Sequence, residues 1–343
     1  MAFGARMLKT GLAVTLTLYF NSFFLHFPSP VISAVAAMFA IQPTIYRSWR
    51  HFLEQLQANT LGAVLAMLAG MYFSKDPFAI GLICIIVIMI CLKLKMQDSI
   101  GLTLVTVIAV MEASGQWEFA LSRFAQILVG IGTASLINIF FLPPRPREQF
   151  VAQIQSVFTK LSLLLRTAIS NEIKENIFRD EKKALEDSLK SLADKFKLVE
   201  EEYKSLRGNH FGKIRDLVVY QQMLVALRKG ADVLDAVEEH YFQTDRDSRP
   251  DSEFDRHLET LCKFHEHVLL KFDEKLKETD PPEAELMEAK SARFLRDMMG
   301  SVHTREEDEL RISIVASSMF EYSYHIARLD KLVEQYHRGE EKK

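Results

Sequence analysis

The sequence predicts an all-α protein in two parts: a six-span transmembrane helical domain over residues 1–147 and a cytoplasmic long-helix bundle over 148–343. Three observations predict it. Residues 1–142 hold only eight of the 42 lysines and arginines and five of the 45 aspartates and glutamates, leaving 34 and 40 to the remainder. Apolar runs recur through that charge-poor part. The charge-rich part instead carries apolar residues at sustained steps of three and four.

A helix needs about 20 mostly apolar residues to cross a bilayer. Six stretches fit: 7–27, 30–46, 58–74, 77–93, 98–115 and 121–142, of which "AIGLICIIVIMICL" (79–92) and "QILVGIGTASLINIFFL" (126–142) are the plainest. The others are short or flecked with polar residues, as expected of helices packed on one another. Arg6 and Lys9 before an apolar stretch, with Ala34-Val35-Ala36 downstream, also fit a cleaved signal peptide. The further apolar stretches favour an uncleaved first helix. Phe27-Pro28-Ser29-Pro30 and Ser74-Lys75-Asp76-Pro77 are short connectors.

Lysines and arginines set the expected orientation. Arg6, Lys9, Arg47, Arg50, Lys93, Lys95, Arg145 and Arg147 fall on one side, and Lys75, Asp76, Glu112 and Glu118 on the other. Both termini are therefore expected in the cytoplasm, with Arg123 as the awkward charge. A shift of 68 residues lays Gly62 on Gly130 and helices one to three on four to six. Units of three spans would be inverted in the membrane, an arrangement common among transporters. Small residues also recur wherever membrane helices approach closely, so both explanations stay open.

In "FLPPRPRE" (141–148) the Pro143-Pro144 pair stops the last span and the arginines hold the inner face. Beyond it, Leu185 to Leu206, Leu217 to Leu234 and Ile312 to Tyr336 carry apolar stripes of three- and four-residue steps. Such stripes bury one face of each helix, with coiled-coil contacts as an extension. Breaks are expected at Gly208-Asn209, 244–252 and 279–283, and Thr304 with Glu307 makes a capping box.

Catalytic chemistry finds little support. Three cysteines make no disulfide scaffold, and Cys262 reads as reduced. His265 and His267 in "HEH" point about 200° apart on a helix and cannot easily share an ion. No phosphate-binding loop, paired-cysteine zinc site or nucleophile elbow occurs. An enzyme is the least favoured class, and no cofactor, metal or nucleic-acid partner is expected.

The first part is more suggestive, because polar side chains at membrane depth must pair or face water. Asn21, Gln42, Asn59 and Asn138 are the amides, expected to bond between helices or to line a cavity. Thr15, Thr17, Thr103 and Thr106 are expected to bond back to their own helices. Pro43 lacks an N–H and frees backbone carbonyls near Phe39 and Ala40, which is tolerated at depth only in protein or beside a polar cavity. Tyr46, Arg47 and Arg50 follow, and "RSWRHFLEQLQ" reads as an amphipathic inner segment leading to Asn59. Either arginine could pair with a carboxylate substrate, or both could simply obey the orientation rule while Trp49 anchors at the interface.

The six spans, "QPTIYRSWRHFLEQLQANTLGA" (42–63), its fainter counterpart before Gly130 and the "PPRPRE" exit resemble the bacterial aromatic acid exporter family, in its branch with a C-terminal cytoplasmic helical domain. The family is related to the fusaric acid resistance proteins. The resemblance spans essentially the whole chain and is most specific from Pro43 to Gly62. It implies export of aromatic or other organic carboxylates across the bacterial plasma membrane, and a homodimer, since larger members carry two membrane blocks where this chain has one. The expected substrate path holds Asn21, Gln42, Pro43, Tyr46, Arg47, Arg50, Asn59 and Asn138. A passive organic-anion channel and a membrane-anchored helical scaffold are the alternatives.

Overall fold

The computed structural model describes residues 5–25, 30–73, 76–112, 117–140, 145–169, 174–205, 210–244, 251–276, 283–300 and 306–340. Regular structure among them is helical, as predicted. The chain divides into two compact units, Met1–Arg145 and Pro146–Lys343.

In the first unit, α1 (Ala5–Phe20) continues into a π-helical turn, Asn21–Leu25. Then follow α2 (Val31–Ala40), α3 (Ile45–Tyr72), α4 (Pro77–Lys93), α5 (Ile100–Glu112) and α6 (Trp117–Phe140). Two expected spans take another form. The second stops at Ala40 and has ten residues, about 15 Å at helical rise, half the thickness of the hydrocarbon. Pro43 thus lies between helices, not in one. The third begins at Ile45, so the amphipathic segment and the apolar run form one helix of 28 residues. Thr44 starts it, its side chain accepting from the Arg47 N–H at 3.1 Å. Among the described residues, Leu121–Phe140 is long and apolar enough to cross a membrane, and Val31–Ala40 and Pro77–Lys93 are shorter apolar helices.

Local chemistry also fixes α4. Asp76 caps its start by accepting from the Phe78 N–H at 3.1 Å, with Pro77 in the first turn. Its end closes with Met96 N–H to Cys91 C=O at 2.9 Å and Lys95 N–H to Leu92 C=O at 3.1 Å. Lys95 takes the left-handed conformation (φ 60°) that this closure requires and that glycine usually supplies.

The six helices pack as two threesomes. One core joins α1, α2 and α6 through Ala13, Ala36, Ile131 and Ala134, and the other joins α3, α4 and α5 through Ala66, Ala79, Val87 and Val107. Their closest approaches use the two glycines that the 68-residue shift superposes. A Cβ on Gly130 would stand 2.2 Å from the Ser33 carbonyl oxygen of α2, and one on Gly62 would stand 2.7 Å from Thr103 Cγ2 of α5. Exchanging α1 with α4, α2 with α5 and α3 with α6 reproduces the set of principal helix pairs: α1 with α2 and α6, α4 with α5 and α3, α2 on α6, α5 on α3, and α3 on α6. Large apolar side chains face outward, and several polar ones are buried among the apolar cores. Leu12, Leu16, Met67, Leu82, Ile85 and Leu136 are exposed, while Thr17, Asn21, Ser48, Gln55, Asn59 and Asn138 are buried.

The second unit comprises α7 (Pro146–Ile169), α8 (Glu175–Ser205), α9 (His210–Glu239), α10 (Asp251–Phe272), α11 (Glu283–Gly300) and α12 (Glu306–Glu340). The predicted stripes are its core: Leu185, Leu189, Leu192 and Val199 of α8, Tyr220, Leu224, Leu227 and Leu234 of α9, and the α12 series from Ile312 to Tyr336. Gly230 lets α9 approach its neighbours, since a Cβ there would lie 2.6 Å from Leu161 and 3.1 Å from the Tyr322 ring. Gly208-Asn209, Thr304 and the Pro143-Pro144 stop lie outside the described residues, as do parts of the 244–252 and 279–283 breaks and of both connectors.

Candidate functional site

At the end of the first unit where α1 and α3 begin and α2 and α6 finish, the predicted amide Asn138 ties four segments together. Its Nδ2 donates to the Gln42 carbonyl at 2.9 Å and to Ser48 Oγ at 2.6 Å, and its Oδ1 accepts from Lys9 Nζ at 3.0 Å. Ser48 in turn donates to the Thr44 carbonyl at 3.1 Å. The backbone that Pro43 prevents from continuing as helix is therefore satisfied by a side chain of α6. The carbonyl that Asn138 meets is that of Gln42, just beyond the Phe39 and Ala40 carbonyls at the end of α2. Asn138 uses both amide protons here. Lys9 is only 8% exposed, and one of its three ammonium protons goes to Asn138. No described carboxylate pairs with it.

A second network runs along α3. Thr44, Ser48, His51, Gln55, Asn59 and Gly62, at steps of four and three, form one buried face. Asn59 Nδ2 donates to the Gln55 carbonyl at 2.8 Å and to Gln55 Oε1 at 2.7 Å. Thr106 of α5 donates to Asn59 Oδ1 at 2.6 Å, nearer than its own-helix acceptor, the Leu102 carbonyl at 3.0 Å. A hydroxyl has one proton, so the interhelical acceptor is the better partner.

The structure thus brings Gln42 and Asn138 together with Lys9, and Asn59 together with Gln55 and Thr106. It does not gather the remaining predicted residues. Asn21 donates to the Thr17 carbonyl of its own helix at 2.9 Å, with its Oδ1 buried and unbonded. Tyr46, Arg50 and Glu54 form a ladder at four-residue steps, in which exposed Arg50 Nε meets Glu54 Oε1 at 2.7 Å. Arg50 is thus already partnered by a carboxylate. Arg47 is half-buried in the first turn of α3, and Pro43 is exposed. Among the hydroxyls, Thr15 and Thr103 bond back to their helices as expected, at 2.9 and 2.8 Å.

Sequence reasoning missed Lys9, Ser48, His51, Gln55 and Ser99 as site residues. Lys9 was absorbed by the orientation rule. The four-three spacing of polar residues from Thr44 to Asn59 was a signal for a buried face, hidden because that stretch is also rich in charge.

In the second unit His265 is fully buried, with Nδ1 2.7 Å from the Tyr322 hydroxyl and its ring against Phe158. Burial pushes it down to about 3. His265 is thus a core residue, while His267 is half-buried. No cluster suited to a metal ion occurs among the described residues.

The family model for aromatic acid exporter family member 1 matches residues 1–141, and that for the fusaric acid resistance protein family matches residues 100–337. The chain is 31% identical to the UPF0421 protein YgaE of Bacillus subtilis, over 98% of this chain and 96% of that protein. It is 30% identical to UPF0421 proteins of Oceanobacillus iheyensis and Halalkalibacterium halodurans over about half of each chain. The chain belongs to the fusaric acid resistance and aromatic acid exporter family, whose members are membrane transport proteins.

Proposed function

We propose that this protein is a multi-pass transporter of the bacterial plasma membrane that exports aromatic or other organic carboxylate anions. Residues 1–147 cross the membrane six times with both termini in the cytoplasm, and residues 148–343 form the cytoplasmic bundle. The observation that carries the reading is Lys9, a buried ammonium with spare donors and no described carboxylate partner, held by Asn138 beside the non-helical Gln42-Pro43 backbone. A buried cation without a counter-ion is costly, and an anionic substrate would supply the missing charge.

The many exposed apolar side chains of the first unit support a membrane setting for it. The exchange relation among the helix pairs supports two inverted three-helix repeats. In such repeats, short helices at corresponding positions point to the substrate site, and α2 and α5, at ten and 13 residues, correspond. Arg47, Arg50 and Tyr46 attract the anion at the cytoplasmic entrance. Gln42, Pro43, Asn138, Asn59 and Asn21 line its way. A single membrane block per chain supports a homodimer. A passive channel is the second reading, favoured because no carboxylate is buried among the described residues of the first unit.

Inside-out vesicles test both readings. Vesicles containing the protein should accumulate labelled benzoate against its gradient, an uncoupler should abolish the accumulation, and Lys9→Met should cut the rate at least tenfold. Flux that only dissipates a gradient selects the channel. No flux in the wild type, or an unimpaired Lys9→Met variant, defeats the assignment to Lys9.

A further inference from the structure

Three of the first unit's buried polar groups without a hydrogen-bond partner lie on α3 and on the turn that packs against it. His51 and Gln55 lie one turn apart on the inner face of α3. Ser99 ends the 3-10 turn Gln97–Ser99, which packs on α3 and leads into α5. Their exposures are 6%, 1% and 0%. His51 Nε2, Gln55 Nε2 and Ser99 Oγ are each buried without a hydrogen-bond partner. The orientation of Gln55 is set by its neighbour: Asn59 Nδ2 donates to its Oε1, so the free half of the amide is the NH2. That group can only donate, the serine hydroxyl can donate, and His51 Nε2 donates in one neutral tautomer and in the imidazolium. Buried donors on α3 and on the turn packed against it, with Asp98 of that turn within electrostatic reach of His51, suit an acceptor-only ligand, and a carboxylate is acceptor-only.

We propose that His51, Gln55 and Ser99 form a carboxylate-binding site whose affinity is set by protonation of His51. The site takes its ligand class, an aromatic or other organic carboxylate, from the export reading, but binding there does not require turnover. Protonated His51 offers a charge-assisted bond, whereas the neutral ring offers a weaker one. Histidine is the side chain that changes charge near neutral pH.

The charged groups around His51 are few. On α3 itself Arg47 precedes it by one turn, and Glu54, which follows, is paired with Arg50. Asp98 beside Ser99 is within electrostatic reach but exposed to solvent. Helix α2 carries no ionisable residue, and α5 and α6 carry Glu112, Glu118 and Arg123 at their far ends. Helix α4 brings Cys84, Cys91 and its terminal Lys93, with Lys95 following.

Calorimetric binding of benzoate to the full-length protein in detergent, from pH 5.5 to 8, tests the site. The wild type should bind more tightly as pH falls, by up to tenfold per unit, with proton uptake in weak buffer. His51→Gln should flatten that dependence, and Gln55→Leu and Ser99→Ala should each weaken binding at least fivefold while preserving it. A wild-type pH profile in His51→Gln, or no linked proton uptake by the wild type, overturns the proposal. Should His51→Gln fail to fold, unchanged affinity in Gln55→Leu and Ser99→Ala overturns it. Export in vesicles with unaltered binding in all variants refutes the site and leaves export standing. The expected binding pattern without any export refutes the export reading and leaves the site standing.

Discussion

Replacing Asn138 by leucine, a side chain of similar size, removes three interactions at once. The Gln42 carbonyl loses its donor, Ser48 Oγ loses one, and the Lys9 ammonium loses its acceptor. In water-soluble proteins a stranded buried acceptor costs about 1–3 kcal/mol and a bond to a charged group contributes about 1.5–3 kcal/mol. Interhelical bonds in membrane proteins average nearer about 0.6 kcal/mol each, because the unfolded chain in the membrane finds other partners. Asn138→Leu should therefore lose about 2–5 kcal/mol, the lower figure if membrane behaviour dominates. The assay is unfolding in mixed micelles by added dodecyl sulfate, read by tryptophan fluorescence. Both tryptophans, Trp49 and Trp117, lie in the first unit, so the signal reports that unit alone. Combining Lys9→Met with Asn138→Leu removes both members of a buried pair and should recover about 1–2 kcal/mol relative to Asn138→Leu, since two matched apolar groups leave no stranded charge. An Asn138→Leu variant within about 0.5 kcal/mol of wild type, or a strictly additive double variant, would refute the view that Asn138 neutralises a costly buried donor.

The remaining predictions are briefer. Gly130→Ala, whose new methyl would stand 2.2 Å from a backbone oxygen of α2, should cost about 1–3 kcal/mol in the same assay. Gly132→Ala, with nothing within 4 Å, should cost none of that, and equal effects would remove the packing argument. In the second unit, burial holds His257 down to about 4 and His265 to about 3, against an ordinary 6.5. Both values are depressed, so this contribution is complete above pH 6.5 and is lost as pH falls toward the folded values. Between pH 7.5 and 5 the two histidines should together cost about 4 kcal/mol. His257→Phe, which keeps the ring stacked on Phe294, should remove about half of that acid sensitivity in thermal melts followed by circular dichroism. Arg50→Ala should leave stability within about 0.5 kcal/mol, because Arg50 is largely exposed and its i,i+4 pair with half-buried Glu54 is a surface pair. If Arg50 attracts substrate, the variant should raise the KM for benzoate at low salt and little at high salt; a salt-independent effect would point to direct contact.

Helix content, the change of character after residue 142 and the core stripes of α8, α9 and α12 were legible in the sequence. Those features follow from the period of apolar residues along one helix, which needs no knowledge of the neighbour. Gly62 and Gly130 were legible as small residues, but the contacts they permit were not, since these depend on which helix arrives opposite. The boundary of α2 was misplaced because apolar composition continues to Ile41, while Pro43 and the Thr44 cap decide where helix stops and restarts. Span length is set by hydrogen-bond closure, and hydropathy does not record it.

The candidate site divides in the same way. The sequence by itself determined which amides had to be satisfied in an apolar setting, because an unpaired amide there is costly whatever the fold. Helical period alone also places the residues from Thr44 to Asn59 on one face, while that this face is buried came only with the packing. Only the tertiary structure decided that Asn138 answers the Gln42 carbonyl, 96 residues away, that Lys9 is buried and not merely an orientation signal, and that Arg50 is already matched by Glu54. Each of these is a question of which acceptor lies within about 3 Å of a donor, a distance fixed by packing between helices and not by spacing along one.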